Sequence, residues 1–385
     1  MIRTSLLLLL VVAADDKPAP KFPVGRETTY VTGPLDKDGY IDYQAALNDR
    51  LGKGITPDQN ANVLLWKALG PTPGGSNRMP AEYFKRLGID EPPKSGDYFI
   101  DLRTLLKDHA RIESGRFNSI FDQEDRAWRR PWAAKDYPYI AAWLMANEKP
   151  LAVAVEATKR PDYFNPIVWQ KSEKDSGSLI RFPRSSVQQF REIALSLAAR
   201  AMLRVGEGKV DDAWQDLLAC HRLGRLVSRG ATIPEALVGN SVDYQAIIAE
   251  LAYLERAKLS AQQIRDRLKE LQGLPPLAPL ADKIDLDERF FFLDTLQNVR
   301  RDGFGFLEGL FGVRAGKPSA EELKVAGKTD WAPVLSKGSR WYDRLAAVAR
   351  IKDRAAREKE FGMIDTELKA QKHNILQSPG LKTKT

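Results

Sequence analysis

The chain has 385 residues, 59 Lys+Arg against 51 Asp+Glu for a formal net charge of +8, 43% hydrophobic residues and one cysteine. The lone Cys220 excludes an intrachain disulfide and any cysteine-built metal framework. The apolar content is enough for a real core, and acidic and basic residues alternate nearly everywhere, so most of the positive charge reads as solvated helix surface.

The first 14 residues read as an export signal. Arg3 gives the positive start, Leu6 to Val12 a short apolar run, and Val12, Ala13 and Ala14 the small residues before a cut at Asp15. The run is far shorter than the about 20 residues a bilayer span needs. No later stretch is long and apolar enough either, so no transmembrane segment is expected after cleavage. Export places the mature chain in the periplasm or outside the cell, as an envelope or secreted protein. It leaves nucleic acid an unexpected partner, and makes a protein or an anionic envelope polymer the expected one.

Residues 15–27 are rich in Pro and Lys and read as a disordered leader. Residues 28–178 read as short helices separated by Pro-rich loops, with a short strand expected over Thr28–Thr32. Asp36, Lys37, Asp38 and Gly39 resemble the centre of an EF-hand calcium loop. The first and last ligand positions of that loop fall on Pro34 and Ala45, which carry no ligand oxygen in their side chains. The other reading is an Asp-Gly turn, with Asp42 capping a helix that runs through Leu51. Further helices are expected from Thr56-Pro57 to Leu69, over Ala81–Leu87 and over Tyr98–His109. Leu151–Thr158 reads as helix or buried strand, and its pattern does not decide between them.

Glu113, Ser114, Phe117 and Asn118 resemble the Glu-Ser-x-Phe-Asn start of the lytic transglycosylases, helical exported enzymes that cut peptidoglycan. The resemblance covers about six residues. One residue is inserted before Phe117, and Ser119 stands where the family has proline. It implies that Glu113 is a general acid/base for glycosidic cleavage, a role that needs a carboxyl held near neutral pKa. Just downstream, Trp128, Trp132, Tyr137, Tyr139 and Trp143 mix with Arg126, Arg129 and Arg130. Trp128, Arg129, Trp132 and Trp143 are the candidate binding residues, because aromatic faces stack on sugars and arginines pair with acids. The same residues also suit core packing.

Residues 179–273 form a helical-hairpin block. Ser186 with Gln189, Thr232 with Glu235 and Ser260 with Gln263 have capping-box spacing. Val187, Phe190, Ala194, Leu197, Ala201 and Val205 make one helical face, and Gly206 and Gly208 end it. A second helix starts near Val210 and packs through Trp214, Leu217, Leu218 and His221. A third carries Leu237, Val238, Val242, Ile247, Ile248, Leu251 and Leu254, and a fourth Ile264, Leu268 and Leu271. This gives four helices in two hairpins. The join from Gly208 to Ala213 resembles the turn of one tetratricopeptide repeat over about residues 186–229, which implies a peptide-binding groove.

Residues 284–376 read as C-terminal helices packed on the same body, including a long one over Ser336–Glu360. A close-packed glycine- and phenylalanine-rich turn is expected over 303–312, and Ser319 with Glu322 makes another capping pair. Residues 377–385 read as a basic tail. His109, His221 and His373 form no metal pair such as His-Glu-x-x-His, so neither metal nor other cofactor is expected. Cys220 and His221 are helix neighbours whose side chains diverge, which argues against a thiolate–imidazole pair. The fold class is mainly α, an irregular array of helical hairpins with little or no sheet. The chain as a whole looks like uncharacterised exported bacterial helical proteins. The leading expectation is a non-enzymatic exported binding or scaffold protein, and the alternative is an envelope glycan hydrolase using Glu113.

Overall fold

The computed structural model describes residues 19–75, 78–108, 114–168, 178–179, 185–303 and 320–377. Residues 1–14, read above as an export signal, Glu113 and the turn expected over 304–312 lie outside the described residues, as do Ser319, the side chain of Glu322 and nearly all of the tail.

The described chain is mainly helical and has no strand, only isolated bridges between Leu35 and Ile41 and between Asn60 and Asp162. In chain order the first helices are α1 Tyr43–Leu51, α2 Ala61–Leu69, α3 Ala81–Leu87, α4 Leu102–Asp108, α5 Ser114–Ala127, α6 Pro138–Ala146 and α7 Glu148–Thr158. The long helices follow: α8 Ser185–Gly206, α9 Val210–Val227, α10 Ile233–Arg256 and α11 Ala261–Gln272. A short α12, Leu280–Lys283, passes through a π turn at Ile284–Glu288 into α13, Arg289–Asp302. The described chain ends with α14 Ala320–Lys328, α15 Ala332–Ala349 and α16 Arg354–Gln377.

The helix starts follow local capping chemistry. Asp42 caps α1 by accepting the Ala45 N–H at 2.8 Å. At α10 the Thr232 hydroxyl accepts the Glu235 N–H at 3.3 Å, while Glu235 accepts the Thr232 N–H at 3.0 Å. Ser260 and Gln263 repeat the exchange at α11. Each pair satisfies two amides that a helix start otherwise leaves open.

Helices α8, α9 and α10 pack each against the other two, so the centre is a three-helix unit and not two separate hairpins. Gly224 and Gly239 make the α9–α10 contact close. A Cβ on Gly239 would lie 2.5 Å from the Gly224 carbonyl oxygen and from the Ser228 nitrogen. Across α8 and α9 the buried Asp216 carboxylate takes Arg200 in a two-point bond at 2.6 and 3.0 Å, and Arg204 at 2.7 Å. Helix α11 leans on the edge of this unit with no buried residue of its own, its Glu270 accepting the Trp214 indole N–H at 2.6 Å.

The main core joins the early helices to the central unit, with Leu65, Trp143, Phe190, Leu197, Trp214 and Leu218 at its heart. A second core joins the two ends of the described chain through Phe22, Tyr43, Leu47, Phe290, Leu293 and Trp331. Its polar centre is the fully buried Arg289, bonded to Asp285 at 2.6 Å, Asp343 at 2.7 Å and the Ser339 carbonyl at 3.0 Å.

Several expectations change on this frame. Within the residues read as a leader, Phe22 is buried edge-on between Tyr40 and Trp331, while Ala19, Pro20 and Lys21 before it are exposed. Residues 28–32 form turns, with Tyr30 at φ 65°, not a strand. Helix α2 starts at Ala61, not Thr56, because Asn60 accepts the Asn62 N–H as its cap. Helix α4 starts after Asp101, whose carboxylate takes the Thr104 N–H and hydroxyl, so 98–101 precede it. Helix α8 already includes Ser185, so it begins before the expected cap at Ser186. The long helix expected over 336–360 is two, broken before Asp353, which caps α16 by accepting the Ala356 N–H at 2.7 Å. Residues 151–158 are helical.

Candidate binding cleft

The aromatic and arginine residues of 128–143 do not form one surface. Trp143 is fully buried, its indole N–H donating to the Ile100 carbonyl at 2.7 Å. Trp132 is buried too, donating to the Ala199 carbonyl at 3.1 Å and packing against Tyr137. Each indole is held by a backbone carbonyl, so neither face is open to a ligand. Trp128 is buried in the same core, but its edge reaches the wall of a cleft, with the exposed Arg129 guanidinium 4.0 Å over its ring.

That cleft runs between α4–α5 and α8–α10. It has two adjoining lobes, of about 340 and 370 Å³, which share Phe121 and Glu124. Helical spacing builds it. On α5, Phe121, Glu124 and Trp128 stand three and four residues apart and face one way, while Asp125 pairs with Arg129 at 3.0 Å. On α8, Gln189 and Glu192 point into one lobe and Arg191 with Leu195 into the other. Asp101 and Arg103 enter from the start of α4, and Ser241, Tyr244 and Gln245 from α10. Arg103 stacks 4.9 Å over the Phe121 ring.

The charges divide the lobes. One holds Asp101, Glu124 and Glu192 with Arg103; the other holds Glu124 and Asp125 with Arg129 and Arg191. Burial, with repulsion from Glu192, Asp125 and Asp101, pushes the Glu124 carboxyl up to about 7. Burial raises the Glu192 carboxyl as well, against the pull of a Gln188 hydrogen bond. The cleft therefore offers a carboxyl that is half protonated near neutrality, a second displaced carboxyl, and arginines at one end.

Other sites carry less chemistry. A larger cleft, about 830 Å³, lies beside α3 and the Pro92–Pro93 loop, where Glu91 is already paired with Arg78. The hairpin face that resembles a tetratricopeptide groove is filled: Trp214 is fully buried and packs on Tyr253 of α10. Asp36 folds back on its own turn, accepting the Asp38 and Tyr40 N–H groups at 2.9 Å and pairing with Arg301. Cys220 is buried against the Ala194 carbonyl, and burial pushes its thiol up. His221 turns the other way, to Asp243 at 2.9 Å and Glu250 at 3.3 Å on α10. Among the described residues no cluster of His, Cys, Asp and Glu is placed to hold a metal ion, and no helix is long and apolar enough to cross a membrane.

Glu124, Glu192, Asp101, Arg103 and Arg191 were not singled out by sequence. The one local signal was on α5, where Glu124 stands four residues before Trp128, and Asp125 four before Arg129. No protein-family model, curated protein or solved structure matches the chain.

Proposed function

We propose that the protein is a non-enzymatic exported binding or scaffold protein of the cell envelope, and that its ligand is a charged chain lying along the α5–α8 cleft. A polypeptide segment and an anionic envelope polymer both have the required chemistry. The observation that carries this reading is the uneven charge of the cleft: Arg129, Arg191 and the edge of Trp128 with Asp125 at one end, Asp101 and Glu192 with the single Arg103 at the other, and the displaced carboxyl of Glu124 shared between them. Arginine forks pair with carboxylate or phosphate groups, and the acidic lobe takes amines or donates hydrogen bonds when Glu124 is protonated. A filled central hairpin supports a ligand site at this edge over one in a repeat groove.

A second reading is favoured by one observation. A carboxyl near pKa 7 in a cleft, beside another carboxyl, is what general acid catalysis of glycan cleavage uses. In that case Glu124 joins Glu113 as a candidate acid. The two readings separate on isolated peptidoglycan sacculi, scored for pelleting and for soluble fragments. Salt-sensitive pelleting without release is the expected result. Fragments that disappear in Glu124→Gln or Glu113→Gln would make the protein a hydrolase.

A further inference from the structure

Helix α10 is apolar on nearly every side, and its outward side has a regular pattern. Leu237, Asn240, Tyr244, Ile247, Leu251 and Leu254 are all exposed, while Ala236, Gly239, Val242, Ala246, Ala249 and Tyr253 are buried on the opposite side. The outward residues are spaced by three, four, three, four and three. This alternation of three and four is the spacing a coiled-coil seam requires. The apolar members are 59%, 62%, 42%, 60% and 42% exposed for Leu237, Tyr244, Ile247, Leu251 and Leu254.

We infer that this face is a self-association surface, and that two copies of the chain pair through α10 as a parallel, in-register coiled coil. Area is the first argument. Taking on the order of 200 Å² for a large side chain, the five apolar residues leave about 500 Å² in water. That is near the top of the range for the largest apolar patch on a monomer, about 300–600 Å². Two copies would bury about 1,000 Å² from these residues alone, which reaches the size of a specific interface before the flanks are counted.

Asn240 supplies the direction. It is the single polar member of the seam. In a parallel pair in register it meets its own counterpart, and the two amides bond to each other. In a fully overlapping antiparallel pair it meets Leu251 and is buried with no partner. Tyr244 belongs to both the seam and the cleft, so the second copy stands at the mouth of the proposed ligand site.

Sedimentation velocity on the purified protein at rising concentration tests the pairing. The expected species is a dimer, with Leu251→Glu weakening association about 100-fold while far-UV circular dichroism stays unchanged. Ile247→Glu is the second variant, and both residues are exposed, so the core is untouched. Asn240→Cys tests the direction, because the only native thiol is buried. Mild oxidation should link this variant to itself across the seam, and a cysteine at the exposed, remote Glu207 should not link. A protein that stays monomeric at every concentration, or a dimer unaffected by both charge substitutions, would overturn the pairing. A dimer that breaks on substitution but does not cross-link at 240 would overturn the parallel register.

Discussion

Two of the places where this molecule removes carboxyl groups from water have different structural results. Under the start of α10, Glu235 is buried and fully engaged. It accepts from Thr232, and from the Asn165 side chain at 2.7 Å; Asn165 in turn accepts the Tyr83 hydroxyl at 2.6 Å, and Tyr83 accepts from Trp66 and Asn62. Asp287 nearby accepts the Ile233 N–H at 2.9 Å, and burial raises its carboxyl to about 8. Lys283 is buried beside them and donates to the Gly230 carbonyl. In the α5–α8 cleft, by contrast, the shift of Glu124 comes from burial and neighbouring charges, not from a hydrogen bond, and its carboxyl faces open volume. A displaced pKa therefore does not by itself mark a site. Packed among partners it is the cost of holding segments together; beside a cleft it is a group free to act on a ligand.

Three substitutions test that contrast. The largest effect belongs to the engaged class. Asp216→Ala leaves Arg200 and Arg204 without their buried carboxylate, and should lower stability by about 3–5 kcal/mol in urea unfolding. A loss under about 1 kcal/mol would mean that buried ion groups here contribute no more than exposed ones.

His221 gives an intermediate, pH-dependent effect. Burial disfavours the charged ring, but the bonds to Asp243 and Glu250 outweigh it and raise the pKa above 6.5. The folded state thus holds a proton more tightly than the unfolded one. The added stability is complete below the unfolded value and is lost as pH rises through the folded one. His221→Leu should therefore cost more stability at acid pH than at alkaline pH. An equal loss at both would show that the ring acts only by packing.

Glu124→Gln should have the smallest effect on stability and the opposite sign. Its carboxyl is raised from 4.5 to about 7, so folding is penalised increasingly as pH climbs through that window. Gln cannot ionise. The variant should match the parent at about pH 4 and exceed it by less than about 1 kcal/mol above neutrality, the shift being discounted for partial exposure. A large destabilisation would place Glu124 with the engaged residues and remove the argument for a site.

Much of the fold was legible because it is decided locally. Asp42, Thr232 with Glu235, and Ser260 with Gln263 act as caps where their spacing put them. Helix α8 ends at Gly206, one of the two expected glycines. What was not legible depends on long-range packing. Helix α10 is apolar nearly all round, so periodicity could not tell that Val242 is buried while Leu237, Ile247, Leu251 and Leu254 face water. The break before Asp353 depends on a cap inside a continuous helical pattern. The cleft draws on residues near 101, 124, 192 and 244, each an ordinary position on its own helix. Of the four residues read as a binding patch, Trp128 and Arg129 line it, while Trp132 and Trp143 were drawn into the core by carbonyls within reach of their indoles.

The most direct test of the cleft as a ligand site is co-sedimentation with peptidoglycan sacculi at low and high salt, comparing the parent with Arg129→Ala/Arg191→Ala. The double variant alters only the arginine end of the cleft. The parent should pellet at low salt and be released at high salt, and the variant should stay in solution under both. Equal pelleting of the two proteins, or no pelleting of the parent at all, would contradict the assignment of this cleft to an envelope polymer.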